Sequence, residues 1–506
     1  MSKPTRPKPR VYKGLRDIFA PDLIARREVI ETIRVVYERY GFAPLETPAL
    51  EYVDCLGKFL PESHTPEGGI FAFRNPDLSA GTRDNHPDWW LGMRYDLTAP
   101  LARVVAQYQQ DLPRPFRRYQ IGPVWRFEKP GPGRFREFIQ FDFDTVGSSS
   151  MLADAEACMI FCDALTALGF APGEFLVKVN NRKALQGALD ACGLTEADIT
   201  DESSKVGIAL RAIDKLDRIG LAGVRQLLSS GRTDESGDVA TGANLTEQQI
   251  AIIEQFLQAG AESRSAVCDN LEALIGSSTV GAEGVGELRQ IDEFLTAAGY
   301  DSSQVVFDPT VVRGLGYYTG PVFEGVITRE IIDENGKTRD FGSVFGGGRY
   351  DSLVERFTGQ KVPATGASVG VDRLMEAVKL LHKPRPRSTA QVLVTVMDKS
   401  RLDDYITITQ QIRSAGVNTE TFLGSGSIGK QLQYADRRGI PLAVIAGSDE
   451  FTRGEFQVKD LELGRELAAG IEDRDQWRKG RPSQQSVPAE RLVDTLKELL
   501  AHYYQR

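Results

Sequence analysis

The residues best suited to chemistry lie along one short stretch. From Phe135 to Val146 the even positions are Arg136, Phe138, Gln140, Asp142 and Asp144, and the odd positions are Phe135, Glu137, Ile139, Phe141 and Phe143. A strand turns successive side chains to opposite faces, so one surface carries a cation, a ring, an amide and two carboxylates, while the other suits a core. On the preceding stretch, Tyr119–Glu128, Arg126 and Glu128 share a face in the same way. A solvated sheet face laced with ion pairs would look similar. Arginine forks beside one ring and one amide, however, suit an anionic ligand with a planar group: guanidinium matches phosphate oxygens two at a time, and Phe138 can stack on a base. No Gly-x-x-x-x-Gly-Lys-Ser/Thr loop occurs, so a nucleotide would be held without one.

These strands need elements to position them. Lys129-Pro-Gly-Pro-Gly133 is a tight connection that makes the pair an antiparallel hairpin. Upstream, Val29, Ile33, Val36 and Tyr40 form the apolar stripe of a helix that Gly41 ends, and Phe42–Leu50 is extended because it holds two prolines. Residues 60–90 read as irregular. Residues of about 185–300 have helical patterning, Ser/Asp/Gly-rich breaks and few aromatics, the texture of a separate helical insertion. Strands return at Gln304–Phe307 and Tyr317–Ile327, followed by a Gly-rich turn at Phe345–Arg349 and a helix from Gly370 with Val371, Leu374, Val378 and Leu381 on one face. His382–Arg387, with two prolines and no apolar periodicity, reads as a linker. Beyond it, strands Val392–Val396, Val417–Phe422 and Leu442–Ala446 alternate with helices Leu402–Ala415, Ile428–Arg437 and Ala489–His502, the order of a small domain with a largely parallel sheet of three or four strands.

Composition narrows the class. The chain has 506 residues, 61 Lys+Arg against 70 Asp+Glu and a formal charge of -9. That balance argues against non-specific coating of nucleic acid, which needs clustered cations, yet allows one local basic patch. No apolar run is long enough to span a membrane, and the basic residues 1–10 read as a tail, not a secretory signal. Five cysteines without paired metal spacing point to a reducing cytoplasm, with Cys158 and Cys162 packed in a core. No metal site is expected from the protein alone, and His64, His86, His382 and His502 fall in no motif. Gly424-Ser-Gly-Ser-Ile-Gly429 fits a dinucleotide fingerprint, with Asp449 downstream, but it follows the second strand of its domain and reads as a tight strand–helix turn.

Arg126-Phe-Glu-Lys-Pro-Gly-Pro-Gly-Arg-Phe-Arg-Glu-Phe-Ile-Gln140 resembles motif 2 of the class II aminoacyl-tRNA synthetases. Pro48 resembles the motif 1 proline, and Gly366-Ala-Ser-Val-Gly-Val-Asp-Arg373 resembles motif 3. Met93-Arg-Tyr-Asp-Leu-Thr-Ala-Pro100, Arg313-Gly-Leu-Gly-Tyr-Tyr-Thr-Gly320 and Phe345-Gly-Gly-Gly-Arg-Tyr-Asp351 resemble signatures of the histidyl-tRNA synthetases. The likeness covers nearly the whole chain. It implies an α+β catalytic domain on an antiparallel sheet with flanking helices, in two parts (11–184 and 301–381) around the helical insertion 185–300. After the linker 382–387 it implies an α/β anticodon-binding domain over 388–506.

The resemblance also implies roles. Arg126 would contact the ATP α-phosphate, Arg134 and Arg373 the outer phosphates, and Glu128 and Phe138 the adenine. Asp96, Thr98 and Gln140 would hold the amino group of L-histidine, and Asp144 with Tyr317 or Tyr318 its imidazole. Arg313 would act with Arg126 at the α-phosphate and the histidine carboxylate. Mg²⁺ would accompany the triphosphate, tRNA(His) would accept the product, and Lys430, Gln431 and Arg437 would touch it. A homodimer through the region of Pro48 is implied too. The alternative is a histidine-binding regulatory subunit of ATP phosphoribosyltransferase; such subunits lack the C-terminal domain and tend to lose ATP-binding arginines, whereas this chain has residues 388–506 and keeps Arg126, Arg134, Arg313 and Arg373.

Overall fold

The computed structural model describes residues 7–56, 69–79, 86–131, 134–194, 204–233, 239–312, 314, 317–332, 338–339, 342–381, 388–468 and 483–504. The chain forms two compact units, Met1–Arg16 with Val29–Leu381, and Asp17–Glu28 with His382–Arg506.

The first unit is built on an eight-stranded sheet. In chain order its strands are β1 Ala43–Pro44, β2 Phe116–Trp125, β3 Glu137–Val146, β4 Phe175–Asn181, β5 Val305–Phe307, β6 Pro321–Ile327, β7 Ser343–Arg349 and β8 Ala364–Gly370. Side by side they run β1-β2-β3-β8-β7-β6-β4-β5. The six inner strands are antiparallel, and β1 and β5 join the edges in parallel. The hairpin reads as its sequence dictates, in register from Phe116↔Val146 to Trp125↔Glu137. It closes three residues before Glu128, because Phe127 leaves the ladder and donates its N–H to the Gly69 carbonyl at 2.8 Å.

The odd face of β3 is a core. Helix α1 (Ala20–Arg39) buries Val29, Ile33, Val36 and Tyr37. The Tyr37 ring meets Phe141 and Phe143 edge-on at 4.8 and 5.0 Å. Tyr40, the expected fourth member of the stripe, turns its hydroxyl to Asp163 instead, at 2.8 Å. Helix α2 is Thr98–Gln107; helix α3 (Leu152–Ala167) brings Phe161 within 5.7 Å of Phe143 and buries Cys158 and Cys162, whose thiols burial pushes well up. All five cysteines are free. The even face is buried as well, with Asp142 and Asp144 each 2% exposed, which excludes a solvated sheet face.

Within 185–300 the described helices are α4 Arg182–Ala191, α5 Lys205–Ile213, α6 Leu216–Leu228, α7 Glu247–Leu257, α8 Arg264–Ile275 and α9 Thr279–Ala297. The polar breaks in the sequence are their caps: Asn181, Ser204, Thr246, Ser263 and Ser278 each accept a backbone N–H of the first turn. These helices belong to the same compact unit as the sheet. Buried Arg264 of α8 pairs with Asp292 at 2.5 Å and donates to the Val305 carbonyl of β5 at 3.0 Å. Helix α10 (Val371–Leu381) follows β8 directly.

The second unit holds β9 Val392–Val394, β10 Thr419–Thr421, β11 Leu442–Ile445, β12 Glu455–Asp460 and β13 Gln484–Pro488, in the order β10-β9-β11-β12-β13. The first three pair in parallel as expected; β12 and β13 add an antiparallel edge that the sequence did not announce. Both are short and mostly polar, and only Phe456, Val458 and Val487 carry the inward alternation. Helices α11 (Leu402–Ser414), α12 (Ile428–Arg438) and α13 (Leu492–Tyr504) flank this sheet, with Tyr405, Ile412 and Leu496 in its core. The 382–387 linker lies outside the described residues. Among the described residues no helix is long and apolar enough to cross a membrane.

Candidate active site

Two hollows open on the even face of β3 and share a wall. The first, of about 320 Å³, is lined by Arg126, Glu128, Arg134, Phe138, Ser343 and Arg373, among others. The second, of about 540 Å³, is lined by Asp96, Thr98, Thr310, Tyr317, Tyr318 and Glu324, among others. Arg126, Gln140, Gly346 and Ser368 belong to both. A ligand in each would therefore meet across one guanidinium and one amide.

Among the described residues Arg126 makes no ion pair with an acid. Its guanidinium lies 4.3 Å from the Tyr95 ring and 5.1 Å from the Phe138 ring, and its Nε donates to the Tyr95 carbonyl at 3.4 Å. An arginine supported by rings and a carbonyl keeps its charge available for an anion. Glu128 accepts from the Tyr95 hydroxyl at 3.3 Å and lies 3.9 Å from exposed Arg134. Arg373 donates to the Ser343 carbonyl at 2.7 Å, while its neighbour Asp372 accepts the Ile139 N–H at 2.9 Å and ties the start of α10 to β3. Arg136, by contrast, serves the scaffold: it donates to the Tyr12 hydroxyl and the Glu128 carbonyl, each at 3.0 Å, and lines neither hollow.

In the second hollow, Asp96 accepts the N–H groups of Thr98 and Ala99 at 3.1 and 2.9 Å. Burial raises its pKa against those bonds and the nearby Arg126. Arg94, two residues before Asp96, anchors this loop. It is 5% exposed and donates to the carbonyls of Thr47 and Pro123 at 2.8 and 2.9 Å and to that of Pro48 at 3.5 Å. A Cβ on Gly122 would come 2.3 Å from its Nη2, so any larger residue there must displace the guanidinium. The Tyr-Tyr pair depends on glycine likewise. Gly314 has φ +63°, and a Cβ on Gly314 or Gly348 would strike the Tyr318 ring at 2.3 or 2.7 Å. Arg313 and Gly316 lie outside the described residues; Val312 and Gly314 beside them line the second hollow.

Asp144 lines neither hollow. It sits behind, paired with buried Arg118 at 2.8 Å and accepting the Tyr350 hydroxyl. Tyr350 in turn stacks on Tyr317 at 5.5 Å. Burial raises the Asp144 pKa against Arg118 and Tyr350, and pushes Asp142 up to about 7 against the same arginine.

Several lining residues carried no motif signal. Ile213, Asp214 and Leu216, where α5 meets α6, form part of the second wall, as do Thr310, Val311 and Glu324. The loop of Thr310 and Val311 is fixed by Asn180, whose amide donates to the Pro309 and Val311 carbonyls at 3.0 Å each.

In the second unit, Lys430 and Arg437 are exposed on α12. Gln431 is not: it is 2% exposed, accepts the Val396 N–H at 2.9 Å and donates to the carbonyls of Val396 and Gly426 at 2.7 and 3.1 Å. It clips the Gly-rich turn to β9 and offers nothing to a ligand, which removes it from the expected tRNA contacts. That turn follows an edge strand, β10, so no neighbouring crossover completes a dinucleotide crevice.

Comparison with known proteins accords with this geometry. The histidyl-tRNA synthetase family model matches residues 14–374, and the anticodon binding domain model matches 391–499. A histidine–tRNA ligase of Cereibacter sphaeroides is 50% identical over 498 residues, covering 98% of each chain. One from Rhizobium meliloti is 49% identical over 97% of this chain and 95% of its own. A crystal structure of histidyl-tRNA synthetase from a Nostoc species superposes with a TM-score of 0.73 at 29% identity, covering 98% of this chain and all of that one. A Bacillus halodurans structure, described as an ATP phosphoribosyltransferase regulatory subunit/histidyl-tRNA synthetase, shares the fold at 23% identity and a TM-score of 0.63 over 85% of this chain. With relatives half identical from end to end and a family model spanning the whole double hollow, the chain belongs to the histidyl-tRNA synthetase family.

Proposed function

We propose that the chain activates L-histidine with ATP, supplied as its magnesium complex, and transfers the histidyl group to the 3′ end of tRNA(His). The observation that carries this reading is the shared wall: Arg126 and Gln140 face a cleft lined by Arg134, Arg373 and Phe138 on one side and a hollow lined by Asp96, Thr98, Tyr317 and Tyr318 on the other. A carboxylate held in the second hollow then meets the α-phosphate at Arg126 and pyrophosphate leaves through the first. Positioning two anions and stabilising the charge that spreads between them needs fixed cations and no covalent intermediate on the protein.

On this reading Arg126 and Arg313 serve the α-phosphate and the carboxylate, Arg134 and Arg373 the outer phosphates, and Phe138 and Glu128 the adenine. Asp96, Thr98 and Gln140 hold the amino group. The imidazole lies against Tyr317 and Tyr318, with Asp144 behind them acting through Tyr350. Mg²⁺ would arrive with the triphosphate, in a cleft whose lining carboxylates are Glu128 and Asp372. Exposed Pro48, with Leu50, Tyr52 and Phe73 exposed on a three-stranded sheet formed by Leu50–Tyr52, Ala72–Arg74 and Trp90–Met93, supports a two-fold dimer there. Lys430 and Arg437 remain the candidates for tRNA contact.

ATP–pyrophosphate exchange run with each amino acid in turn tests the reading. Exchange with histidine alone, together with charging of tRNA(His), is expected. Histidine binding without exchange would favour the regulatory-subunit alternative.

A further inference from the structure

The first hollow carries two carboxylates on its wall, Glu128 and Asp372, and a triphosphate is repelled by either one left without a cation. Asp372 finds its cation far away in the chain. Its Oδ1 pairs with Arg16 and its Oδ2 accepts the Ile139 N–H at 2.9 Å, so the protein occupies both oxygens. The Arg16 guanidinium also lies 3.7 Å from the centre of the Phe135 ring, another wall residue of the same hollow. Arg16 itself lines neither hollow.

The segment that brings Arg16 there is fixed through its backbone. The Gly14 carbonyl accepts the Arg136 N–H at 2.8 Å, and the Arg136 side chain donates to the Tyr12 hydroxyl at 3.0 Å. Gly14 has φ +88°, and a Cβ there would come 2.9 Å from the Arg136 side chain, so the segment runs close against the loop end of the β2–β3 hairpin. Residues 12–16 thus form a strap on the hairpin, within the first unit.

We propose that Arg16 is a positioning residue of the nucleotide cleft: carried by this strap, it holds the Asp372 carboxylate and cancels its charge, so that the wall beside Arg373 accepts a triphosphate. The proposal rests on the reading of the first hollow as the ATP cleft. Arg16 touches no reacting atom, and its effect passes through Asp372. Without it, a carboxylate stands uncompensated next to the arginine meant for the outer phosphates.

The test uses the full-length enzyme in pyrophosphate exchange, with adenosine (base and sugar kept, phosphates lost) as a competitive inhibitor. The Arg16 and Asp372 side chains are 34% and 18% exposed, so solvent screens the pair in part. In Arg16→Ala the ATP KM is expected to rise about fivefold, the upper end for a partly exposed charge pair, with the histidine KM and inhibition by adenosine near wild type. Arg16→Ala/Asp372→Asn removes the stranded charge while the amide oxygen still accepts the Ile139 N–H, and it restores the ATP KM. A merely structural role for Arg16 would give no such rescue. An unchanged ATP KM in Arg16→Ala, equal weakening of ATP and adenosine, or a double variant no better than the single one would each overturn the proposal. Arg373→Ala separates the two levels: if it leaves the ATP KM unaltered, the assignment of the cleft to ATP fails, whatever Arg16 does.

Discussion

Two buried glutamines, one in each unit, show what distinguishes a site from a scaffold. Gln431 has both ends of its amide occupied by the backbone of its own unit. Gln140, almost as buried, has one end held and the other unpartnered. The same contrast separates the arginines. Arg118 is paired with Asp144 and Arg349 with Asp154, both in the interior, whereas Arg126 rests on two rings and a carbonyl and makes no ion pair among the described residues. Buried polar groups are costly unless satisfied, and interior Arg118 and Arg349 also leave an Nε unpartnered, so what marks Gln140 for a ligand is an open end on a residue that lines both hollows.

Substitutions can break that contrast or sharpen it. The largest effect is expected at Arg126. Arg126→Ala should lower histidine-dependent exchange by about a thousandfold, as for loss of a transition-state contact, and leave the melting temperature near wild type. Arg118→Met should instead unfold or strongly destabilise the protein, because it strands buried Asp144, at a cost of about 3–5 kcal/mol. If Arg126→Ala lost stability and kept exchange, the two classes would merge.

A pH titration of stability probes the floor beneath the site. The Asp142 carboxyl holds its proton to about pH 7 in the folded state, against a reference value of 3.8. Between those values the folded protein binds more protons than the unfolded chain, so this group's contribution falls as pH rises from about 4 to 7. Asp142→Asn should therefore gain on wild type toward pH 8, by no more than about 4 kcal/mol. Asp144 and Asp154, also raised by burial, keep part of the slope in the variant. Denaturant melts at pH 5 and pH 8 decide it; a difference that does not change with pH would contradict the shift.

The smallest effect belongs to the scaffold glutamine. Gln431→Leu should cost about 1–3 kcal/mol, since it leaves the Val396 N–H and carbonyl without partners. Histidine-dependent exchange should be unaltered. A fall in exchange without loss of stability would place Gln431 outside the scaffold class.

Much of the sheet was legible because period-two alternation and a Pro/Gly turn are local signals: the β2–β3 hairpin, its faces and Gln140 could all be read from neighbouring residues. Burial of the even face could not, since what covers it comes from Tyr95, Ser368 and Tyr317, far away in the chain. The wall formed by Ile213, Asp214 and Leu216 left no trace for the same reason; nothing in a helix boundary announces which hollow it will face. Gln431 misled because a polar residue on a Gly-rich turn looks available, and composition does not reveal which backbone groups it will bond. Strands β12 and β13 were missed because three inward apolar residues across two short polar segments give too weak a period.

The Arg94 clamp has one more consequence. The carboxylate at Asp96 is two residues from a guanidinium that grips Thr47, Pro48 and Pro123 together over a single glycine. The amino-acid hollow and the segment around Pro48 thus share one fulcrum. A methyl group at position 122 would act as a wedge, prising the outer segment and the substrate loop apart in the same stroke.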